Sequence, residues 1–269
     1  MLAPNTPSAS TSAVAIENVT LNYYTPERET LALSNVSLGV EPGEFVAIVG
    51  SSGCGKSTLL SLVSGLLRPS HGEIHVSGKR VTAPSPSVGY MFQKDTLLEW
   101  RTVLENALIG AELLGLNMKQ ARKRAEDLLV RYGLGEFLHS FPSQLSGGMR
   151  QRAALARTLC PNPDLLLLDE PFSALDYQTR LALSDEIAAI LQNEGKTVIL
   201  VTHDIGEAIS MANRVIVMSR RPGRIKAEHN IEFPSFGPTR PTPLEARKCQ
   251  EFATYFQTIW DQLDVHQAQ

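Results

Sequence analysis

Gly50-Ser51-Ser52-Gly53-Cys54-Gly55-Lys56-Ser57 fits the pattern GxxxxGK[ST]. In such a loop the glycines let backbone N–H groups turn inward around a phosphate, and the helix that follows adds the positive end of its dipole. Lys56 would reach the β- and γ-phosphates of a nucleotide, and Ser57, followed by Thr58, would offer its hydroxyl to Mg²⁺. A second signal is Leu165-Leu166-Leu167-Leu168-Asp169-Glu170, an apolar run that delivers two carboxylates at its end. One acid, Asp169, can hold a metal ion, and the other, Glu170, can polarise an attacking water. Each pattern has a plainer reading alone: a glycine-rich turn beside a surface lysine, or solvated acids at a strand end. Together they point to phosphoryl-transfer chemistry.

Such groups must be held by a strand, a loop and a helix in that order, and the chain supplies them. Glu44 to Val49 is a compact apolar strand, and an apolar-periodic helix follows from about Lys56 to Leu66. Upstream, Val14 to Tyr23 and Leu31 to Val40 are β-patterned around a turn-rich Thr25-Pro26-Glu27-Arg28, which predicts a hairpin. Short strands run from Gly72 to about Phe92, broken by Pro84 and Pro86. From Thr102 to Cys160 the pattern turns helical, with Leu104, Leu108, Leu113, Leu128 and Leu129 in amphipathic runs. Alternation then resumes with Leu165 to Leu168, a helix from about Asp176 to Gln192, a strand Thr197 to Val201, a short helix from Asp204 and a strand Val215 to Met218. This order predicts an α/β fold with a mainly parallel sheet. Phe233 to Pro243, with four prolines, reads as a linker to a last amphipathic helix carrying Cys249, Phe252, Phe256, Ile259, Trp260 and Leu263.

Composition narrows the function further. The 269 residues carry 25 Lys plus Arg against 28 Asp plus Glu, a formal net charge of -3, which argues against nucleic acid as a partner held by bulk charge. No apolar run approaches the length of a membrane span. Residues 1–13, rich in Pro, Ser and Thr, read as a disordered tail and not as a signal peptide, so the chain is expected to stay in the cytoplasm. Cys54, Cys160 and Cys249 are too scattered for a disulfide framework or a thiolate metal site. His71 and His75 are interrupted by Gly72 in a strand pattern and have no evident third ligand, so no zinc is assigned.

At Leu145-Ser146-Gly147-Gly148-Met149-Arg150-Gln151-Arg152 the chain resembles the signature motif of ATP-binding cassette (ABC) ATPases, and the resemblance extends over about Val14 to Ser219. It implies a P-loop NTPase (RecA-like) core with an antiparallel β subdomain and an inserted α-helical subdomain of about residues 94–160. The cassette would span 14–228, with residues 229–269 as a C-terminal linker and helix. Gln93 is similar to the family's Q-loop glutamine, which touches Mg²⁺ and the attacking water; Ser173-Ala174-Leu175-Asp176 resembles the D-loop; His203 resembles the switch histidine on the γ-phosphate. Tyr23 matches the aromatic that stacks on adenine, with Tyr24 as its neighbour and alternative. Ser146, Gly147 and Gly148, just before a helix, would complete the ATP site of a second copy, with Arg150 and Arg152 supporting the helix end.

Leu97-Leu98-Glu99-Trp100-Arg101-Thr102-Val103-Leu104-Glu105-Asn106 and Ser219-Arg220-Arg221-Pro222-Gly223-Arg224-Ile225 resemble the importer subgroup for nitrate, sulfonates, taurine and related small solutes, with pyrimidine precursors of thiamine in the same neighbourhood, and with Glu99 where those relatives commonly carry proline. Trp100 either packs against the helical insert or floors the groove that receives a membrane subunit. The final helix either packs on its own domain or makes a regulatory or dimer contact. The resemblance implies an ATPase binding ATP and Mg²⁺ that sits peripherally on the cytoplasmic face of the inner (plasma) membrane. Its partners would be a second copy, two permease subunits and, indirectly, a solute-binding protein. Rival readings are a cassette acting on ribosomes or DNA, a nucleotide-binding regulator without hydrolysis, and an exporter with separate membrane subunits. The first lacks a second cassette or long coiled coil, and the second conflicts with intact Lys56, Asp169 and Glu170.

Overall fold

The structure is a computed structural model that describes residues 12–25, 28–173 and 175–263. The expected tail, apart from Ser12 and Ala13, lies outside the described residues, as does Ala174. Strands β1 (Val14–Thr25) and β2 (Arg28–Val40) pair antiparallel, with Val14 opposite Val40 and Thr25 opposite Arg28. They join β4 (His71–Val76) and the two-residue β5 (Lys79–Arg80) in an antiparallel sheet of order β2-β1-β4-β5.

The second sheet has the order β10-β9-β3-β8-β7-β6. Its parallel members are β3 (Phe45–Val49), β6 (Val88–Met91), β7 (Leu165–Asp169), β8 (Thr197–Thr202) and β9 (Arg214–Met218), and β10 (Ile225–Asn230) runs antiparallel at the edge. The continuous apolar runs of β3, β7 and β8 have a simple cause: both faces of these strands are buried, so every position is apolar. Phe45, Ala47 and Val49 of β3 point into one core, whereas Val46 and Ile48 point into the other. Leu166 and Leu168 against Leu165 and Leu167 of β7 divide in the same way.

One core lies between this sheet, α1 (Lys56–Val63) and the antiparallel sheet. The other is covered by the insert, α2 (Val103–Leu113), α3 (Met118–Arg131) and α4 (Gly147–Leu159), and by α5 (Tyr177–Asn193) and α6 (Ile205–Met211). Thr102 closes the start of α2 with a capping box to Glu105.

Several expectations need correction. The first helix stops at Val63, short of Leu66, because Gly65 turns the chain at φ +78. Leu113 ends α2 on the solvent side, 83% exposed. The boundary expected at residue 228 cuts through β10, and the proline-rich stretch is packed, with Phe233 buried and the Arg240 guanidinium donating to the Ile209 and Ala212 carbonyls that end α6. It leads into α7 (Pro243–Ala246) and α8 (Gln250–Gln262), whose Ile259 belongs to the second core. Ile231, Phe233, Ala246 and Ile259 therefore extend the second core. Phe256 and Trp260 stack on the outer face of α8, 6.1 Å apart.

Candidate nucleotide-binding and catalytic site

The loop 50–57 runs from the end of β3 to the start of α1. Gly55 adopts φ +109, and a Cβ there would lie 2.6 Å from Leu33 Cδ2, so both conformation and space demand glycine. Lys56 is 5% exposed, and its ammonium donates to the carbonyls of Gly50 and Ser51 at 2.9 and 3.2 Å. The buried Cys54 thiol lies beside it, and burial pushes that thiol up from its ordinary value. Tyr23 places its hydroxyl 3.3 Å from Thr58 Oγ1, whereas Tyr24 is 70% exposed and bonds back to Asn22. Of the two tyrosines, Tyr23 is the one joined to the phosphate-loop helix.

The carboxylates at the end of β7 part company because Glu170 takes a left-handed φ of +47 while its N–H donates to Val201. Asp169 stays in the strand, and its Oδ1 accepts the Ser57 hydroxyl at 2.9 Å. Its Oδ2 accepts from Tyr90 at 3.3 Å. Burial pushes the Asp169 carboxyl up from its usual range, opposed by these hydrogen bonds and the Lys56 charge. Tyr90 is pushed up to about 12 by burial and by the Asp169 charge, so its hydroxyl keeps its proton. Glu170 turns the other way: its Oε2 accepts from Gln93 Nε2 at 2.9 Å and lies 3.3 Å from His203 Nδ1. Three expected residues from three strand ends thus meet on one carboxylate oxygen.

Ser146 is the N-cap of α4, its Oγ accepting from Met149 at 3.3 Å. Among the described residues no hydrogen bond joins Ser146, Gly147 or Gly148 to the loop 50–57. Arg150 supports the helix end as expected, donating to the Leu145 carbonyl at 3.0 Å and to Asp95 at 3.0 Å. Asp176 accepts from Thr179 N and Oγ1 at 3.0 and 2.7 Å, and those bonds hold its carboxyl below the usual range.

Further contacts that the motifs do not mark lie next to these. Arg157 donates to the carbonyls of Asp95 and Thr96 at 2.7 and 2.8 Å, so it and Arg150 tie the segment after Gln93 to α4. Arg221 donates to the Gly53 carbonyl at 3.3 and 3.2 Å. Gly223 fits against the phosphate loop so closely that a Cβ would lie 2.1 Å from the Cys54 carbonyl oxygen. Among these, Tyr90 left a faint trace in the sequence, as an aromatic three residues before Gln93.

Trp100 is 74% exposed and does not pack against the insert. Leu98 O accepts from Arg101 N at 3.1 Å, placing Glu99 and Trp100 at the centre of a turn. The fully buried Asn106 clamps that turn, its Nδ2 donating to the carbonyls of Leu98, Arg101 and Thr102 while its Oδ1 accepts from Leu98 N. Beside the turn an apolar groove of about 620 Å³ opens between the insert and the sheet, lined by Tyr90, Phe92, Leu98, Ile109 and Leu114 among others. Trp100 stands outside that lining, which corrects the expectation that it floors the groove.

The ABC transporter family model matches residues 33–173. The chain is 42% identical over 253 residues to the ABC transporter ATP-binding protein YtlC of Bacillus subtilis (strain 168), covering 94% of this chain and 96% of that one. It is 38% identical over 258 residues to the taurine import ATP-binding protein TauB of Ruegeria pomeroyi, covering 93% and 95%. Among solved structures it is similar to the dimeric, post-hydrolysis ATP-binding cassette MJ0796 bound to ADP and Pi, with a TM-score of 0.72 and 34% identity over 81% of this chain and 99% of that one. With the P-loop fold, the phosphate loop and the paired acids in place, the chain belongs to the ABC transporter family as an ATP-hydrolysing cassette.

Proposed function

We propose that two copies of this subunit hold two ATP molecules between them and energise uptake of a small solute, of the nitrate, sulfonate or taurine class, through two separate permease subunits fed by a solute-binding protein. The observation that carries the catalytic part is the convergence of Gln93 and His203 on Glu170 Oε2. Glu170 acts as general base on the attacking water, and its two neighbours orient the carboxylate. Lys56 exchanges its two carbonyl partners for phosphate oxygens when ATP enters the loop, and Tyr23 stacks on the adenine. Backbone N–H groups of residues 50–58 surround the phosphates, while Ser146, Gly147 and Gly148 of the second copy present the start of α4 to the γ-phosphate. His203, its side chain 57% exposed, is free to meet the γ-phosphate from the other side.

The donor set fits magnesium: the Ser57 hydroxyl, the Asp169 carboxylate and the Gln93 amide oxygen are hard oxygen ligands, and the first two already lie 2.9 Å apart. Bound there, Mg²⁺ supplies charge neutralisation on the β- and γ-phosphate oxygens.

The importer reading rests on the similarity to taurine import ATP-binding proteins, and the apolar groove supports the attachment of a permease segment. Among the described residues no helix is long and apolar enough to cross a membrane, so membrane attachment at the cytoplasmic face falls to the permease. The test is reconstitution in proteoliposomes with a permease and a solute-binding protein of the nitrate, sulfonate and taurine class. ATP-dependent uptake of taurine, an alkanesulfonate or nitrate is expected. ATP-driven efflux, or uptake of none of these, would contradict the assignment.

A further inference from the structure

Tyr90, near the end of β6, belongs to two places at once. Its hydroxyl donates to Asp169 Oδ2 at 3.3 Å, while the other oxygen of that carboxylate accepts from Ser57 at 2.9 Å. Its ring forms part of the wall of the apolar groove and meets Phe92 edge-on, with centroids 4.3 Å apart and planes at 63°. Phe92 lines the same groove and is 43% exposed. The parallel register sets Tyr90 opposite Leu167, two residues before Asp169, so the phenol reaches along the sheet edge to the carboxylate. A carboxylate turns freely about its last torsion unless both oxygens are held.

We infer that Tyr90 is a positioning residue for the metal-binding carboxylate: its hydroxyl fixes the plane of Asp169 so that Oδ1 faces Ser57, and its ring passes displacement of the groove wall to that carboxylate. The positioning stands on the hydrogen bonds alone. The use of the ring as a sensor rests on the proposal that a permease segment fills the groove. Filling the groove presses on Phe92 and Tyr90 together, since the two rings share an edge-to-face contact. Gln93, by contrast, donates its amide N–H to Glu170.

The test uses the isolated subunit with Mn²⁺ as the metal and ADP as the nucleotide, so no turnover intervenes. The readout is the ratio of ADP affinities with saturating Mn²⁺ and with chelator, which isolates the coupling between metal and nucleotide. Tyr90→Phe keeps the ring and removes the hydroxyl. It is expected to lower the ratio about tenfold, the worth of one hydrogen bond to a charged group, while metal-free ADP affinity changes less than about twofold. Phe92→Ala is expected to lower the ratio about threefold with Tyr90 present, as loss of an aromatic pair allows, and to add nothing in the Tyr90→Phe background. A folded Tyr90→Phe subunit with an unchanged ratio overturns the positioning role, and so does an equal fall in affinity with and without metal. Additive effects of the two substitutions overturn the role of the ring. If Tyr90→Phe does not fold, Phe92→Ala alone decides, and an unchanged ratio contradicts the link. None of these outcomes touches the permease assignment, which the uptake experiment tests separately.

Discussion

Gln93 Nε2 lies 2.9 Å from Glu170 Oε2, although 77 positions separate the two residues in the chain. The contact exists because β6 and β7 are parallel neighbours and end level with each other. His203, following β8 on the other side of β7, completes the arrangement at 3.3 Å from the same oxygen. Substitution of either neighbour is expected to act on turnover more than on binding. Gln93→Ala and His203→Ala should each reduce kcat about a hundredfold, with KM for ATP within about threefold of wild type, as steady-state kinetics will show.

The signature segment and the phosphate loop share no hydrogen bond within one copy among the described residues, and each ATP site is proposed to take Lys56 from one copy and Ser146 from the other. Lys56→Ala and Ser146→Arg homodimers should therefore each trap almost no nucleotide in a Glu170→Gln background. Mixed dimers contain one pocket with both residues intact and should trap about one ATP per dimer. Mixed dimers trapping no more than their parents would show that Ser146 does not act across the interface.

Glu99 and Trp100 occupy the centre of a turn held by Asn106. Proline is favoured at the first central position of such turns because it presets φ. Glu99→Pro should raise stability by about 0.5–1 kcal/mol through the unfolded chain, measured by urea denaturation. Trp100→Ala, at a site 74% exposed, should shift stability by no more than about 0.5 kcal/mol. It should bind ATP normally.

Behind His203, the 2% exposed Glu207 accepts a hydrogen bond from the Thr202 hydroxyl, with Asp204, Arg180 and Arg247 around it. Burial pushes its carboxyl up from 4.5 to about 7, with Asp204 adding to the rise and the Thr202 bond and both arginines opposing it. The folded protein thus keeps a proton that the unfolded chain releases above about pH 4.5. The stability Glu207 contributes is whole below that pH and is lost as pH rises through about 7. The melting temperature of wild type minus that of Glu207→Gln should fall by at least about 2 °C between about pH 5 and 8. A constant difference would show that Glu207 is ionised in the fold throughout.

The parallel core was legible because its strands are buried on both faces and bounded by motif residues, so Phe45–Val49, Leu165–Asp169 and Thr197–Thr202 stand out as apolar blocks. The alternating charges of Ile225–Asn230 belong to an edge strand with one wet face, and that pattern did not separate β10 from a loop. Phe233 and Arg240 looked like linker because prolines mark irregular chain equally whether it is packed or free. In the site, loop, acids, Gln93 and His203 carry spacing or strand-end position. Tyr90, Arg157 and Arg221 act through contacts between strands and loops distant in sequence, to which no periodicity points.

The most direct measurement is ATP turnover and ATP-dependent dimerisation of Glu170→Gln. The amide keeps the shape of the carboxylate and removes the base. Turnover should fall by at least about a hundredfold while ATP binding persists and a dimer holding ATP accumulates. Turnover within a few-fold of wild type would show that another group activates the water and would contradict the assignment of Glu170.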